Sequence, residues 1–247
     1  MSPAPGAPGV VAVLTAAGSG SRLGSGGPKA LVAVAGVSLL RRAALGLLAA
    51  RVERVVVTAP PEAVDTFALQ VRDLEGVRVV AGSHASRQAS VALGLAAALE
   101  DLPNAEVVLV HDAARPLTPP EVVTRVIEAV AAGAPAVVPG LPVTDTVKEV
   151  QPVPGREGGA APEIVVGSPQ RARLRAVQTP QGFAPALLAR AHRVAASRAN
   201  DESLAASDDA GLIEAMGGSV VVVPGHDHAF KVTTPLDLAL AEVLASR

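Results

Sequence analysis

A few charged residues stand at the ends of valine-rich runs, where such side chains can handle phosphate. The first run, Val10 to Leu14, is continuously apolar, as expected of a parallel strand buried on both faces, and it passes through Thr-Ala-Ala into Gly-Ser-Gly-Ser-Arg22. Gly18 and Gly20 let the backbone approach a ligand closely, so that successive N–H groups can turn onto an anion, and Arg22 and Lys29 add two cations beside that nest. A later run, Glu106 to Val110, delivers His111-Asp-Ala-Ala-Arg-Pro116. Asp112 at a strand terminus beside phosphates suits Mg²⁺, which is usually held by one or two carboxylates plus phosphate oxygens. Arg115 suits a second phosphate as a bidentate fork, with a structural Asp112–Arg115 ion pair as the competing reading. His111 has no companion ligand and reads as structural. Lys231 is a cation inside an apolar stretch read as a short strand, a placement that calls for a charged partner such as a substrate phosphate.

Two phosphate loops fail against the first stretch. A dinucleotide fingerprint needs a third glycine where this chain has Leu23, and an acid about 20 positions on, whereas no acid precedes Glu53. A Walker A loop needs Gly-Lys-Ser/Thr, whereas Lys29 lies between Pro28 and Ala30. What remains, Ala-Ala-Gly-x-Gly-x-Arg followed by Pro-Lys, resembles the nucleotide loop of sugar-phosphate nucleotidyltransferases.

Composition narrows the partners. A formal net charge of −2 offers no basic field for nucleic acid. The absence of Cys excludes disulfides and thiolate chemistry, and with no Trp or Tyr there is no platform for base stacking. Mean hydropathy is positive, yet every long apolar stretch meets a charge, Pro or Gly before about 18 residues are reached, so no membrane span is expected. Residues 1–9 are Pro, Ala and Gly without a signal-peptide pattern, and read as a flexible lead-in to a cytoplasmic protein.

The elements that must position these residues alternate. Strands are expected at Val10–Leu14, Arg54–Thr58, Val77–Val80, Glu106–Val110 and Ala134–Val138, with helices at Ser38–Arg51, Glu62–Arg72, from an opening Ser86-Arg-Gln-Ala-Ser90 to about Glu100, and from a capping box Thr118-Pro-Pro-Glu121 to about Ala132. This is the pattern of an open, mostly parallel, Rossmann-like three-layer α/β sheet with ligands beyond the carboxyl ends of its strands. There Gly82 ends a strand, and Ser90 carries a hydroxyl near a helix N-terminus. Ser86 reads equally well as a simple N-cap.

After Pro139-Gly140 the rhythm stops. Leu141–Val150 and Glu163–Gly167 read as strands of a β-arm, an insertion over about residues 141–178 in a single domain spanning 10–247. A lone two-stranded arm is marginal in water, so a homodimer joined through it is expected. Further helices are read at Pro185–Arg198, from a Ser207 cap to Met216, and from a second capping box, Thr234-Pro-Leu-Asp237; Ser219–Val223 reads as a late strand. His226 and His228, flanking Asp227, read as solvated residues and not as a metal site.

Five separated motifs occur in the order seen in 2-C-methyl-D-erythritol 4-phosphate cytidylyltransferases. They are Ala17-Gly-Ser-Gly-Ser-Arg22 with Pro28-Lys29, Val110-His-Asp-Ala-Ala-Arg-Pro116, Asp145-Thr-Val-Lys148, Ala176-Val-Gln-Thr-Pro-Gln181 and Phe230-Lys-Val-Thr-Thr-Pro235. The chain resembles that family from about Val10 to its end. The resemblance implies reaction of CTP with a sugar-alcohol phosphate, methylerythritol phosphate, in the non-mevalonate isoprenoid route, and a divalent cation such as Mg²⁺. It implies that Ala16, Ala17, Gly18, Gly20, Arg22 and Lys29 hold the triphosphate and that Gly82, Ser90, Asp112 and Ala113 frame the cytidine, with Asp112 also at the metal. It further implies that Arg115, Thr146, Arg171, Ser207 and Lys231 meet the acceptor, with Thr146 and Arg171 on the arm that crosses the dimer. Ala30, Ala89 and Ser207 depart from residues frequent in the family.

The attacking group would be a phosphate oxygen already ionised near neutral pH, since a phosphomonoester's second pKa is about 6, so no general base is required. Arg22, Lys29 and Lys231 are the expected catalytic residues, holding two polyanions in line. Ribitol 5-phosphate as acceptor, or a regulatory nucleotide-binding module without catalysis, are the competing readings.

Overall fold

The protein is described from a computed structural model over residues 8–18, 27–153, 161–201 and 205–246. Strand β1 (Val10–Thr15) is followed by a 3-10 turn (Lys29–Leu31), the short pair β2 (Ala33–Val34) and β3 (Val37–Ser38), and helix α1 (Leu39–Ala49). Ser38 caps that helix by accepting the Arg41 N–H. Then come β4 (Arg54–Ala59), α2 (Val64–Val71), β5 (Val77–Ala81), α3 (Arg87–Asp101), β6 (Val107–Asp112), α4 (Pro120–Ala131) and β7 (Ala136–Pro142). An antiparallel hairpin, β8 (Glu149–Pro152) and β9 (Glu163–Gly167), forms the arm. The chain returns through a 3-10 turn (Arg171–Arg173), β10 (Arg175–Val177), β11 (Gln181–Phe183), α5 (Pro185–Val194), α6 (Asp209–Ala215), β12 (Val221–Pro224) and α7 (Pro235–Ala245).

The main sheet runs β10-β7-β11-β6-β1-β4-β5, with β12 also paired to β7. Pairs β1–β4, β1–β6, β4–β5 and β7–β12 are parallel, whereas β10 and β11 run antiparallel to their neighbours, so the expected open, mostly parallel sheet is present. Alternation along β1 builds two layers. Val10, Ala12 and Leu14 enter a core with Leu40, Leu47, Phe67 and Val126, from α1, α2 and α4, while Val11 and Val13 enter one with Val91, Leu95, Leu188 and Ile213, from α3, α5 and α6. Helix α3 lies close to the sheet at Gly94, where a Cβ would stand 2.6 Å from Val13 Cγ1 and 2.7 Å from Thr58 Cγ2.

Several local expectations are corrected. The Thr118–Glu121 capping box does not form: α4 starts at Pro120 with Pro119 before it, and the Thr118 hydroxyl donates to the Arg115 carbonyl, because the turn Arg115–Thr118 claims it first. Asp208, not Ser207, caps α6 by accepting the Gly211 N–H. Residues 229–233 form no strand; only Val232 N–H reaches across, to Ala114 O, because the segment meets a loop and not an open strand edge. Leu141–Val150 divides between the end of β7 and the start of β8, and α5 stops at Val194. The second capping box is present in both directions: Asp237 N–H donates to Thr234 Oγ1 at 3.2 Å and Thr234 N–H donates to Asp237 Oδ2 at 2.7 Å.

Candidate active site

Just beyond the parallel strands the ladder continues by single bonds: Ala16 N–H donates to Thr58 O, Gly82 N–H to Ala59 O and Ala113 N–H to Thr15 O. These bonds bring Ala16, Gly82 and Ala113, far apart in sequence, onto neighbouring positions of one rim. Ala17 and Gly18 follow directly, and a Cβ at Gly18 would meet nothing within 4 Å. Gly20 and Arg22 lie outside the described residues. Lys29 opens the 3-10 turn that leads to Val32 and Val34, and these pack in a third cluster with Val232 and Phe230. The segments carrying Lys29 and Lys231 are therefore neighbours.

Asp112 is the electrostatic centre of the rim. Its Oδ2 lies 2.9 Å from Lys231 Nζ and 3.8 Å from Arg115 Nε; its Oδ1 accepts the Thr15 hydroxyl at 3.1 Å and lies 3.5 Å from Arg87 Nε. Burial alone would raise the carboxyl's pKa. The charges of Arg87, Lys231 and Arg115 outweigh it and hold the group far below the usual range, so Asp112 is ionised throughout physiological pH. Lys231 thus has its charged partner within the protein, from a loop and not from a strand.

Arg87 belongs to the site although the sequence reading gave it no role. Its Nη1 donates to Asp209 Oδ2 at 2.8 Å, and Asp209 Oδ1 lies 3.0 Å from His192 Nε2, giving a buried chain from rim to interior. Burial works against the Arg87 charge, yet Asp209 and Asp112 prevail and keep it firmly protonated. One sequence signal was available: a cation in the first turn of a helix opposes the helix dipole and so implies a carboxylate nearby.

Arg115 bonds within the protein. Its Nη1 donates to Ala229 O at 2.7 Å and its Nη2 approaches Val177 O at 3.5 Å, so the guanidinium is spent on backbone carbonyls flanking the Lys231 loop. Ser90 is buried, and its hydroxyl accepts the Ser83 N–H while donating back to the 83–86 loop; Ser86 caps α3. Ser90 therefore shapes the turn at Gly82, while the Ser86 hydroxyl also donates to Ala199 O at 2.6 Å.

Three residues expected at the acceptor have no direct tie to Asp112. Thr146, Arg171 and Ser207 are exposed, and no hydrogen bond or ion pair among the described residues joins them to Asp112. Arg171 donates to Thr144 O and, with Arg175, borders an open cleft of about 600 Å³ beside Pro142, Val143 and Ala172. His226 and His228 are exposed and edge-to-face at 4.8 Å, and no group of three or more metal-ligating side chains occurs among the described residues. The buried histidines are engaged on one side each, His111 by Thr179 and His192 by Asp209.

A parallel-sheet rim lined by small residues and centred on an ionised carboxylate under several cations, with no nucleophile–base pair among the described residues, fits an α/β nucleotidyltransferase. Comparison with known proteins carries this further. A protein of Streptomyces avermitilis named 2-C-methyl-D-erythritol 4-phosphate cytidylyltransferase is 50% identical over 255 residues, covering 99% of this chain and 95% of that protein. Its namesake from Saccharopolyspora erythraea is 52% identical over 237 residues, covering 95% and 98%. The crystal structure of the protein of that name from Thermus thermophilus superposes with a TM-score of 0.74 at 39% identity, covering 96% and 99%. The family described as 2-C-methyl-D-erythritol 4-phosphate cytidylyltransferase matches residues 10–247, and the chain belongs to it.

Proposed function

We propose that this chain transfers the cytidylyl group of CTP to 2-C-methyl-D-erythritol 4-phosphate, giving the CDP-alcohol and pyrophosphate in the non-mevalonate isoprenoid route. The observation that carries this reading is the meeting of Lys231 and Arg87 on an ionised Asp112, at a rim formed by Ala16, Gly82 and Ala113. The acceptor phosphate is already an anion near neutral pH, and the rim need only orient it and lower the repulsion between two polyanions.

In this reading Ala16, Ala17, Gly18, Gly20, Arg22 and Lys29 hold the triphosphate. Gly82, Ser90, Asp112 and Ala113 frame the cytidine, Ser90 by fixing its loop. Lys231 meets the acceptor phosphate, Arg115 braces the loop that carries it, and Ser207, Thr146 and Arg171 complete the acceptor side. Mg²⁺ fits the donor set as far as the protein supplies it, because Asp112 is a permanently ionised carboxylate at the place where phosphates would complete the coordination. When bound, the metal would offset triphosphate charge.

The arm exposes Val150, Ile164, Val165 and Val166 on its two strands, which favours a homodimer through this hairpin. Among the described residues no helix is long and apolar enough to cross a membrane. Incubation with CTP, Mg²⁺ and either methylerythritol phosphate or ribitol 5-phosphate tests the reaction. Pyrophosphate release with the former supports it; release with ribitol 5-phosphate alone, or with neither, overturns it. Light scattering after size exclusion tests the dimer, and a monomer at micromolar concentration would refute it.

A further inference from the structure

The segment Gln178–Gln181 joins β10 to β11, and three of its side chains, all nearly fully buried, reach three different parts of the rim. Thr179 Oγ1 accepts the Asp112 N–H at 3.1 Å. Gln181 donates to Asp208 Oδ2 at 2.7 Å and accepts the Ala210 N–H at 3.1 Å, which fixes the first turn of α6 beside Ser207. Gln178 bonds in both directions to one residue: its Nε2 donates to His226 O at 2.9 Å and its Oε1 accepts the His226 N–H at 3.0 Å. Any shift of that loop would leave the buried Gln178 amide without its two backbone partners.

The neighbouring residue shows the same constraint from the opposite side. A Cβ at Gly225 would collide with Gln178 Oε1, and it would lie 3.2 Å from the Gly140 carbonyl carbon. Gly225 N–H itself donates to Gly140 O at 3.0 Å. The stretch from Gly225 to Val232 is thus tied at His226 by Gln178, at Ala229 by Arg115 and at Val232 by Ala114, with Lys231 carried between the last two ties.

We infer that Gln178 is a positioning residue, whose two-way bond to the His226 backbone sets where the Lys231 ammonium stands at the rim. This rests on the proposed reading of Lys231 as a contact of the acceptor phosphate. The side-chain bonds of Gln178 go to the loop, so its loss falls mainly on the acceptor side and reaches Asp112, on the nucleotide side, only through Lys231.

The test uses full-length Gln178→Met, which keeps the length and removes the amide, and Gly225→Ala, which forces the amide away while leaving Gln178 in place. Leu188→Ala, in the core between sheet and α5, serves as a control for general loss of stability. Each of the first two raises the acceptor KM about five- to tenfold with the CTP KM within about twofold, as expected for loss of one or two restraining hydrogen bonds. Each also speeds deuterium uptake in peptides covering 225–232 but not in those covering β1. Equal movement of both KM values, the same split in Leu188→Ala, or unchanged exchange in 225–232 would overturn the inference. The exchange measurement needs no turnover, so an inactive wild-type protein would count against the proposed reaction while the role of Gln178 is still decided. Should Gln178→Met fail to fold, Gly225→Ala decides.

Discussion

Lys231 Nζ and Asp112 Oδ2 stand 2.9 Å apart, while the other oxygen of the same carboxylate is taken by Thr15 and Arg87. The rim thus contains its own anion, held in place by several cations.

The first prediction concerns those cations. Lys231→Ala, Lys29→Ala and Arg22→Ala should each lower turnover at least about a hundredfold with the fold retained, by analogy with loss of one preorganised donor. Pyrophosphate release and circular dichroism measure the two effects. Near-normal turnover in any of them would remove that residue from the catalytic set.

Arg87→Leu acts on stability as well. It strips the buried Asp209 of its guanidinium and Asp112 of a neighbouring charge, so a loss of about 3 kcal/mol or more is expected, with a fall of about 6 to 12 °C in melting temperature. Arg87→Lys should recover part of it. An unchanged melting temperature in Arg87→Leu would show that the Arg87–Asp209–His192 chain does not hold the rim.

A pH effect follows from His111. Burial pushes its imidazole down to about 4 from an ordinary 6.5, against the pull of Asp112. Above pH 6.5 both folded and unfolded chains keep this ring neutral. Between pH 6.5 and 4 the unfolded chain binds a proton that the folded chain refuses, so stability falls as the pH falls, by about 3 kcal/mol over that window. Urea midpoints at pH 7, 5.5 and 4.5 should show this decline, and His111→Asn should flatten it. An equal slope in the variant would assign the decline to other groups.

Two glycines should respond with opposite signs. Gly94→Ala drives a methyl into Val13 and Thr58 and should destabilise by about 1–3 kcal/mol. Gly46→Ala, in α1, meets only an ordinary contact, 3.5 Å from Thr118 O, and should stabilise by up to about 1 kcal/mol through helix propensity. Thermal melts of the pair decide it, and a stabilised Gly94→Ala would refute the close approach of α3 to β1.

Much of this was legible in the chain because it depends on local pattern. The apolar run at Val10, the alternation of strands and helices, and the Thr234–Asp237 cap are written in adjacent residues. Asp112 could be singled out because an acid ending a run of valines is conspicuous. What escaped reading depends on partners distant in sequence. Arg87 meets Asp209 only when α3 and α6 lie side by side, and the Arg115 fork finds Ala229 only after the last third of the chain has folded back. Thr118 and Ser207 stood at plausible cap positions, but a competing turn at Arg115 and the neighbouring Asp208 took those roles.

The three phenylalanines of the chain are divided one to a cluster: Phe67 on α2, Phe183 on β11, and Phe230 beside Lys231. Fluorinated phenylalanine would therefore give three 19F resonances without any mutation, one for each layer of the sandwich and one for the loop that carries Lys231. Melting of the whole molecule would move all three together, whereas loosening of that loop would be read by the third alone.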